Sequence, residues 1–172
     1  MEAIFPKAVK FEDLVKTCFM PEMILKYEQN TEEAYNIPLS EDCRSAGFNY
    51  SRIKKVYTIE SRETYDKGFM FFDDGKFYRY LSNVPNSVGE PEYEGDMSKR
   101  PVHSNATVRG ETLFSVITIE RDDKGKLLVT MLLQLDTKLN LPGFIVTTFM
   151  PSAMKTWYKN VSKFVANKKN FQ

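Results

Sequence analysis

Leu139-Asn140-Leu141-Pro142-Gly143 opens a run that ends in Val161, Phe164, Val165 and Asn167. Within it Ile145, Phe149, Met150, Ala153, Met154, Trp157, Val161, Phe164 and Val165 recur mostly at spacings of three and four, which is the period of one apolar helix face. Asn140 is the nearest side chain able to cap the start, and Pro142 suits a first turn, where its missing N–H costs little. Lys155, Lys159, Lys163, Lys168 and Lys169 place positive charge in the second half, as the helix dipole favours. Pro151 predicts a kink or break, or a helix that starts only near it. Each large apolar side chain contributes roughly 1.5–3 kcal/mol when fully buried, so this face needs a large apolar partner. Either a sheet that it packs on or a cavity that it closes would serve. The pattern does not separate them, because both bury the same kind of face.

The length of 172 residues fits one domain. A formal net charge of +1 gives no global attraction to nucleic acid, and none is expected as a partner. The local basic clusters (Arg52, Lys54 and Lys55; Lys168 and Lys169) read as solvated surface. Cys18 and Cys43 make neither a disulfide framework nor a zinc site, and both are expected to be reduced. Met1 to Lys10 has no signal-peptide core. The longest uncharged run, Leu139 to Met154, is shorter than the about 20 residues of a membrane span and contains two prolines and a glycine. These features read as a soluble, cytoplasmic protein. His103 is the only histidine. There is no Ser-His-Asp constellation, metal-ligand spacing or glycine-rich phosphate loop, so neither catalysis, a metal nor a cofactor is expected.

Upstream, Phe11 to Leu25 reads as helix interrupted by Pro21. Thr31 to Asn36 reads as strand or loop, and Ile37 to Phe48, with Pro38 and Gly47, as an irregular connection. Strands are predicted over Tyr50–Ile59, Tyr65–Phe72, Lys76–Val84, Thr107–Arg121 and Lys126–Asp136. Asp73-Asp74-Gly75 marks a hairpin, Asp122 to Gly125 another turn, and Pro85 to Asn105 a long loop. Strands at this spacing with one long closing helix indicate an antiparallel α+β domain. Both faces of the last two strands are largely apolar, which fits a sheet buried on both sides or curved around a cavity.

The residues also resemble a known family, the START (StAR-related lipid-transfer) domains. Lys26-Tyr27-Glu28 sits where that family commonly has a basic residue, a Trp and an acid. Lys55-Val56-Tyr57 followed by Ser61-Arg62-Glu63 is similar to its strand and Arg-Asp pair. Val108-Arg109-Gly110-Glu111 resembles its Val-Arg-Ala-Glu segment. Leu135 to Lys138 with Leu141-Pro142-Gly143-Phe144 resembles its entry into the final helix. The resemblance implies a helix-grip fold over residues 1–172, with a curved antiparallel sheet gripping the C-terminal helix around an internal hydrophobic cavity for one lipid. The family's N-terminal helix and first strands have little counterpart here. The sheet is then incomplete, or its open edge is covered by Met1 to Lys10 or by another chain.

By resemblance to the ceramide-transfer type, ligand contacts fall on the acid Glu28 and on Ser51, Tyr80 and Met131. Arg62 and Arg109 are either ligand contacts or partners of a local carboxylate such as Glu63 or Glu111. Gly68 falls near the place of a second arginine in sterol- and phosphatidylcholine-type members, and Lys67 beside it should point the other way. Phe69, Phe71, Phe114, Val116, Leu133, Phe149 and Met150 are candidates to line the cavity or to fill a core. The expected function is to bind one lipid, phospholipid or another acyl lipid rather than sterol, and to transfer it between membranes through transient surface contact. The alternative is a START-like interaction or regulatory module with a filled core. The oligomeric state stays open.

Overall fold

Period-two alternation builds most of the molecule. The computed structural model describes residues 1–39, 45–55, 60–83, 107–138 and 143–171, with 143–150 described by backbone alone. Its strands are β1 (Glu2–Phe5), β2 (Thr31–Pro38), β3 (Ala46–Ile53), β4 (Arg62–Asp73), β5 (Lys76–Asn83), β6 (Val108–Arg109), β7 (Glu111–Arg121) and β8 (Leu127–Asp136). Its helices are α1 (Phe11–Phe19), α2 (Pro21–Tyr27) and α3 (Gly143–Ala166), followed by a 3-10 turn at Lys168–Phe171.

The strands form one sheet in the order β1-β8-β7-β5-β4-β3-β2. Neighbours along this path are antiparallel, while β6 runs parallel to the start of β4. The β4–β5 hairpin turns through Asp74 and Gly75 at φ 44° and 74°, the left-handed pair that a tight two-residue hairpin demands and an Asp-Gly sequence tolerates.

Register sorts the side chains into two faces. The inner face carries Phe5, Ile119, Leu127 and Val129, which pack with Leu14, Cys18 and Phe19 of α1 and Val161 and Val165 of α3 in the main core. The outer face carries Ile37, Phe48, Tyr50 and Tyr65 as a smaller buried cluster, together with exposed Phe69, Phe71, Phe114 and Leu132. With Leu132 60% exposed, the sheet is not dry on both sides. The apolar character of both faces of β7 and β8 reflects an inner face covered over part of its length and an apolar but wet outer one.

The open edge of the sheet is covered by Met1 to Lys10, one of the arrangements expected, while other expectations change. Met1 to Lys10 contains β1, whose Ala3 and Phe5 point inward and whose Glu2 and Ile4 point out. This strand pairs along the edge of β8. The supposedly irregular Ile37 to Phe48 holds the end of β2 and the start of β3, paired through Ile37–Phe48 and Pro38–Gly47. Pro38 is tolerated because β2 is an edge. Gly47 is required because a Cβ there would collide with the Ile37 carbonyl oxygen. The helix does not stop at Pro151; α3 runs continuously through it. Asn140, the loop Pro85 to Asn105, His103 and Cys43 lie outside the described residues. Cys18 is a free buried thiol, and burial pushes its pKa up to about 12.

Candidate functional site

One strand shows where the core ends. On the inner face of β8, Leu127 and Val129 are 0% exposed, while Leu133 and Leu135 are 40% and 38% exposed. The side chains share a face and a chemistry, so the difference is what stands opposite them. The helices seal the first half of the strand and leave the second half open.

A hollow of about 720 Å³ lies across β2 to β5 on the same sheet. Its inner-face lining includes Asn36, Gly47, Asn49, Gly68, Met70, Arg79 and Leu81. Among the described lining residues, Arg79 is the cation. It stands between Phe77 and Leu81 on the inner side of β5, and its Nη2 donates to Asn49 Oδ1 at 2.7 Å. Its guanidinium lies 5.3 Å from the Phe19 ring centroid, a cation–π contact. Burial pushes the Arg79 pKa down to about 10, against the pull of the nearby Asp66 charge. A guanidinium has five N–H donors, so one bond to Asn49 leaves donors for a ligand oxygen.

Asp66 on β4 faces the same side. Thr112 Oγ1 donates to its Oδ2 at 3.0 Å, while the buried Oδ1 has no hydrogen-bond partner among the described residues. Desolvation raises the Asp66 pKa to about 6, opposed by the Thr112 bond and the Arg79 charge.

Gly68 makes room for the neighbouring strands beside Asn49. A Cβ there would run into the Tyr80 carbonyl oxygen and Leu81 Cδ2, and would come within 3.3 Å of Asn49 Nδ2. Gly68→Ala is therefore expected to cost about 1–3 kcal/mol as an overpacked strand, read as a lowered midpoint in urea unfolding. An unchanged midpoint would mean that β4 and β5 separate freely at this point.

The residues singled out from sequence are scattered. Met131 and Leu133 share the inner face of β8, Met131 against the core and Leu133 in the open half. Ser51 is on the inner face of β3, opposite Thr64, and is not part of the hollow's lining. Glu28 caps the end of α2, where it accepts the Asn30 N–H at 3.5 Å. Tyr80 points outward and stacks on Phe69 at 4.9 Å, and Phe71 and Val116 lie on that same outer face. Phe69 reaches the rim of the hollow, while Phe114 is outward and 37% exposed. The side chains of Phe149 and Met150 are outside the described residues.

Arg62 donates to the backbone carbonyls of Thr137 and Glu60 at 3.0 and 2.7 Å, which ties the start of β4 to the end of β8. Arg109 pairs with the buried Glu63, with its Nη2 at 2.8 Å and Nε at 3.0 Å from Oε1. Tyr50 donates its hydroxyl to Oε2 at 3.0 Å. Lys67 is exposed, as alternation requires.

Sequence reasoning missed Arg79, Asn49 and Asp66. The signal was present in the alternation Phe77, Arg79, Leu81, which puts an arginine between two apolar residues on one strand face.

This architecture has counterparts among solved structures. Human STARD10 superposes with a TM-score of 0.73 at 19% identity, over 98% of this chain. The chain has the START fold, with the sheet and C-terminal helix of the helix-grip arrangement. Human StAR-related lipid transfer protein 5 gives 0.73 at 19% identity, covering 96% of this chain and 73% of that one. A STAR-related lipid transfer protein from Xanthomonas axonopodis gives 0.65 at 11% identity, covering 96% and 84%. The present chain spans 64% of STARD10, less than two thirds of it. No family model and no curated protein matches the chain by sequence. Among the described residues, no helix of this START fold is long and apolar enough to cross a membrane. No cluster of metal-ligating side chains is found among them either.

Proposed function

We propose that residues 1–172 act as one lipid-binding unit, which holds a single lipid on the inner face of the sheet and carries it between membranes without chemical change. The observation that carries this reading is the hollow of about 720 Å³ with Arg79 at its wall. Its size lies within the roughly 300–1,000 Å³ typical of small-molecule sites. The exposed inner leucines Leu133 and Leu135 extend the apolar surface available to acyl chains. Arg79 and Asn49 offer donors to the oxygens of a head group, and a guanidinium suits a phosphate or carbonyl oxygen better than a lone sterol hydroxyl. Phospholipid or another acyl lipid is therefore preferred. Loading requires transient contact with a membrane surface, because the ligand enters from one. Leu133, Phe149 and Met150 remain proposed lipid contacts, beside Arg79, Asn49 and Asp66, while Ser51 and Met131 share the inner face outside the hollow's lining. An interaction module with a filled core is less well supported, since the hollow is too large to count as packed interior.

The test is native mass spectrometry of the purified chain, with organic extraction and lipid identification. A stoichiometric lipid mass is expected. Arg79→Met is expected to lower uptake from mixed liposomes about tenfold, the loss of a hydrogen bond to a charged group, with circular dichroism unchanged. A clean unliganded mass and no uptake from liposomes would overturn the proposal.

A further inference from the structure

The positive charge of this chain is segregated. Residues 137–172 carry six lysines and neither an arginine nor an acid, so with a net charge of +1 the rest of the chain carries −5. Lys155, Lys159 and Lys163 are exposed along α3 at spacings of four, one stripe of a helix, and Lys168 and Lys169 follow in the 3-10 turn. A helix C-terminus favours cations, but its dipole amounts to roughly half a negative charge. The four lysines from Lys159 to Lys169 exceed what that end requires.

Part of this charge converges on a hollow of about 250 Å³ between the end of α2 and the end of α3. Lys26 comes from α2, and Asn160, Lys163 and Asn167 come from the last turns of α3 and the residue that follows it. The Tyr27 and Phe164 rings, 5.5 Å apart between centroids, fix one helix against the other and so bring the two lysines to one place. Among the described residues neither lysine forms an ion pair, whereas Lys55, Lys76 and Lys138 each meet a carboxylate. The Lys26 ammonium meets the Met23 sulfur at 3.9 Å. Asn167 accepts the Lys169 N–H through Oδ1 at 3.2 Å, which leaves its amide nitrogen to donate. Asn170 Nδ2 donates to the Phe164 carbonyl at 2.9 Å, so one of the terminal carbonyls of α3 that would repel an anion is already held. Among the described residues no carboxylate lines the hollow, and Glu28, next to Tyr27, accepts the Asn30 N–H at 3.5 Å.

We propose that this hollow binds a phosphate monoester, carried either by a lipid head group at a membrane surface or by a small soluble molecule. Its volume is below the roughly 300–1,000 Å³ of sites that enclose a whole ligand, so it suits a head group and not a complete lipid. A phosphate monoester has a charge of about −1.5 to −2 and three acceptor oxygens. Two ammonium groups match that charge, and with two side-chain amides they supply donors to all three oxygens. A phosphodiester or a carboxylate has one charge and leaves the second lysine uncompensated. The hollow shares no lining residue with the one around Arg79, and the inference does not depend on the lipid reading.

The experiment is cosedimentation of the 172-residue chain with phosphatidylcholine vesicles that contain phosphatidic acid, a monoester, or phosphatidylglycerol, a diester, at equal surface charge. Calorimetric titration with glycerol phosphate accompanies it. Lys26→Gln with Lys163→Gln is expected to weaken binding of the monoester by about tenfold. Lys168→Gln with Lys169→Gln removes the same charge outside the hollow and should cost about twofold at most, since exposed charges are screened. All four lysines are exposed, so neither pair of substitutions should alter the fold, and thermal melts check this. Preference for phosphatidic acid without binding of glycerol phosphate supports the site and places the phosphate on a lipid. Binding of glycerol phosphate supports it and places the phosphate on a soluble molecule as well. Equal binding to the two kinds of vesicle with no binding of glycerol phosphate overturns the inference, because surface charge alone would then account for it. So do two lysine pairs of equal effect, or no binding to any of the three.

Discussion

Replacing Glu63 by alanine is expected to lower the unfolding free energy by about 3–5 kcal/mol, the usual penalty for breaking a buried ion pair by removing one member. Glu63 is 1% exposed. Its carboxylate takes both the Arg109 guanidinium and the Tyr50 hydroxyl, and Arg109 also lies over the Tyr65 ring, 5.7 Å from its centroid. One side chain thus joins β3, β4 and β6. The alanine removes the carboxylate from Arg109 and Tyr50 and opens space beside the cluster of Ile37, Phe48, Tyr50 and Tyr65. Replacing both charged residues together, Glu63→Met with Arg109→Met, should recover much of the loss, because no unbalanced charge then stays buried. Urea titrations of the single and double variants measure both numbers. A single-variant loss below about 1 kcal/mol would show that the pair behaves as a surface ion pair in solution.

That pair also shows what the sequence makes legible. Arg109 was readable as either a ligand contact or a structural partner of Glu63 or Glu111, and only the β6–β4 pairing of Glu63 with Arg109 brings Glu63 to it. The long strands β4, β5, β7 and β8 follow from alternation and from turns such as Asp74-Gly75, all local signals. β1 does not, because four residues hold too little pattern to stand out and the strand exists only through pairing with β8. The β2–β3 pair was obscured by Pro38 and Gly47, two residues that mark turns in isolation and here fit an edge strand and a close approach.

The hollow was hidden for a different reason. A cavity is a property of what fails to meet, and Leu127 and Leu133 look alike in sequence though one is 0% and the other 40% exposed. Arg79 stands on β5, one strand away from the place near Gly68 where the resemblance puts a second arginine. The cation thus comes from the next strand, while the bare Cα of Gly68 leaves space for Leu81 and the Tyr80 carbonyl.

Asp66→Asn is expected to stabilise the protein at neutral pH, in the opposite sense to most carboxylate substitutions. Asp66 is 4% exposed, and its folded pKa of about 6 lies above the ordinary carboxylate value of 3.8. A raised acid binds its proton more tightly in the folded state. Its contribution to stability is therefore fully present below about pH 4 and is lost as the pH rises through about 6. A rise from 3.8 to about 6 corresponds to about 3 kcal/mol. The wild type should lose that amount between these limits from this group alone, and the asparagine variant should not. Asparagine can still accept the Thr112 hydroxyl through its amide oxygen, so the hydrogen bond across β4 and β7 survives the change. Chemical denaturation as a function of pH separates the outcomes. Converging curves below about pH 4 with the variant more stable above about pH 6 would confirm the sign, and parallel curves would refute it. The same variant, assayed for lipid uptake, links stability to the site. If uptake falls while stability rises, the buried charge beside Arg79 serves ligand binding at the expense of the fold, the usual trade at a functional site. If uptake is unchanged, Asp66 belongs to the wall of the hollow and Arg79 with Asn49 carries the polar contact.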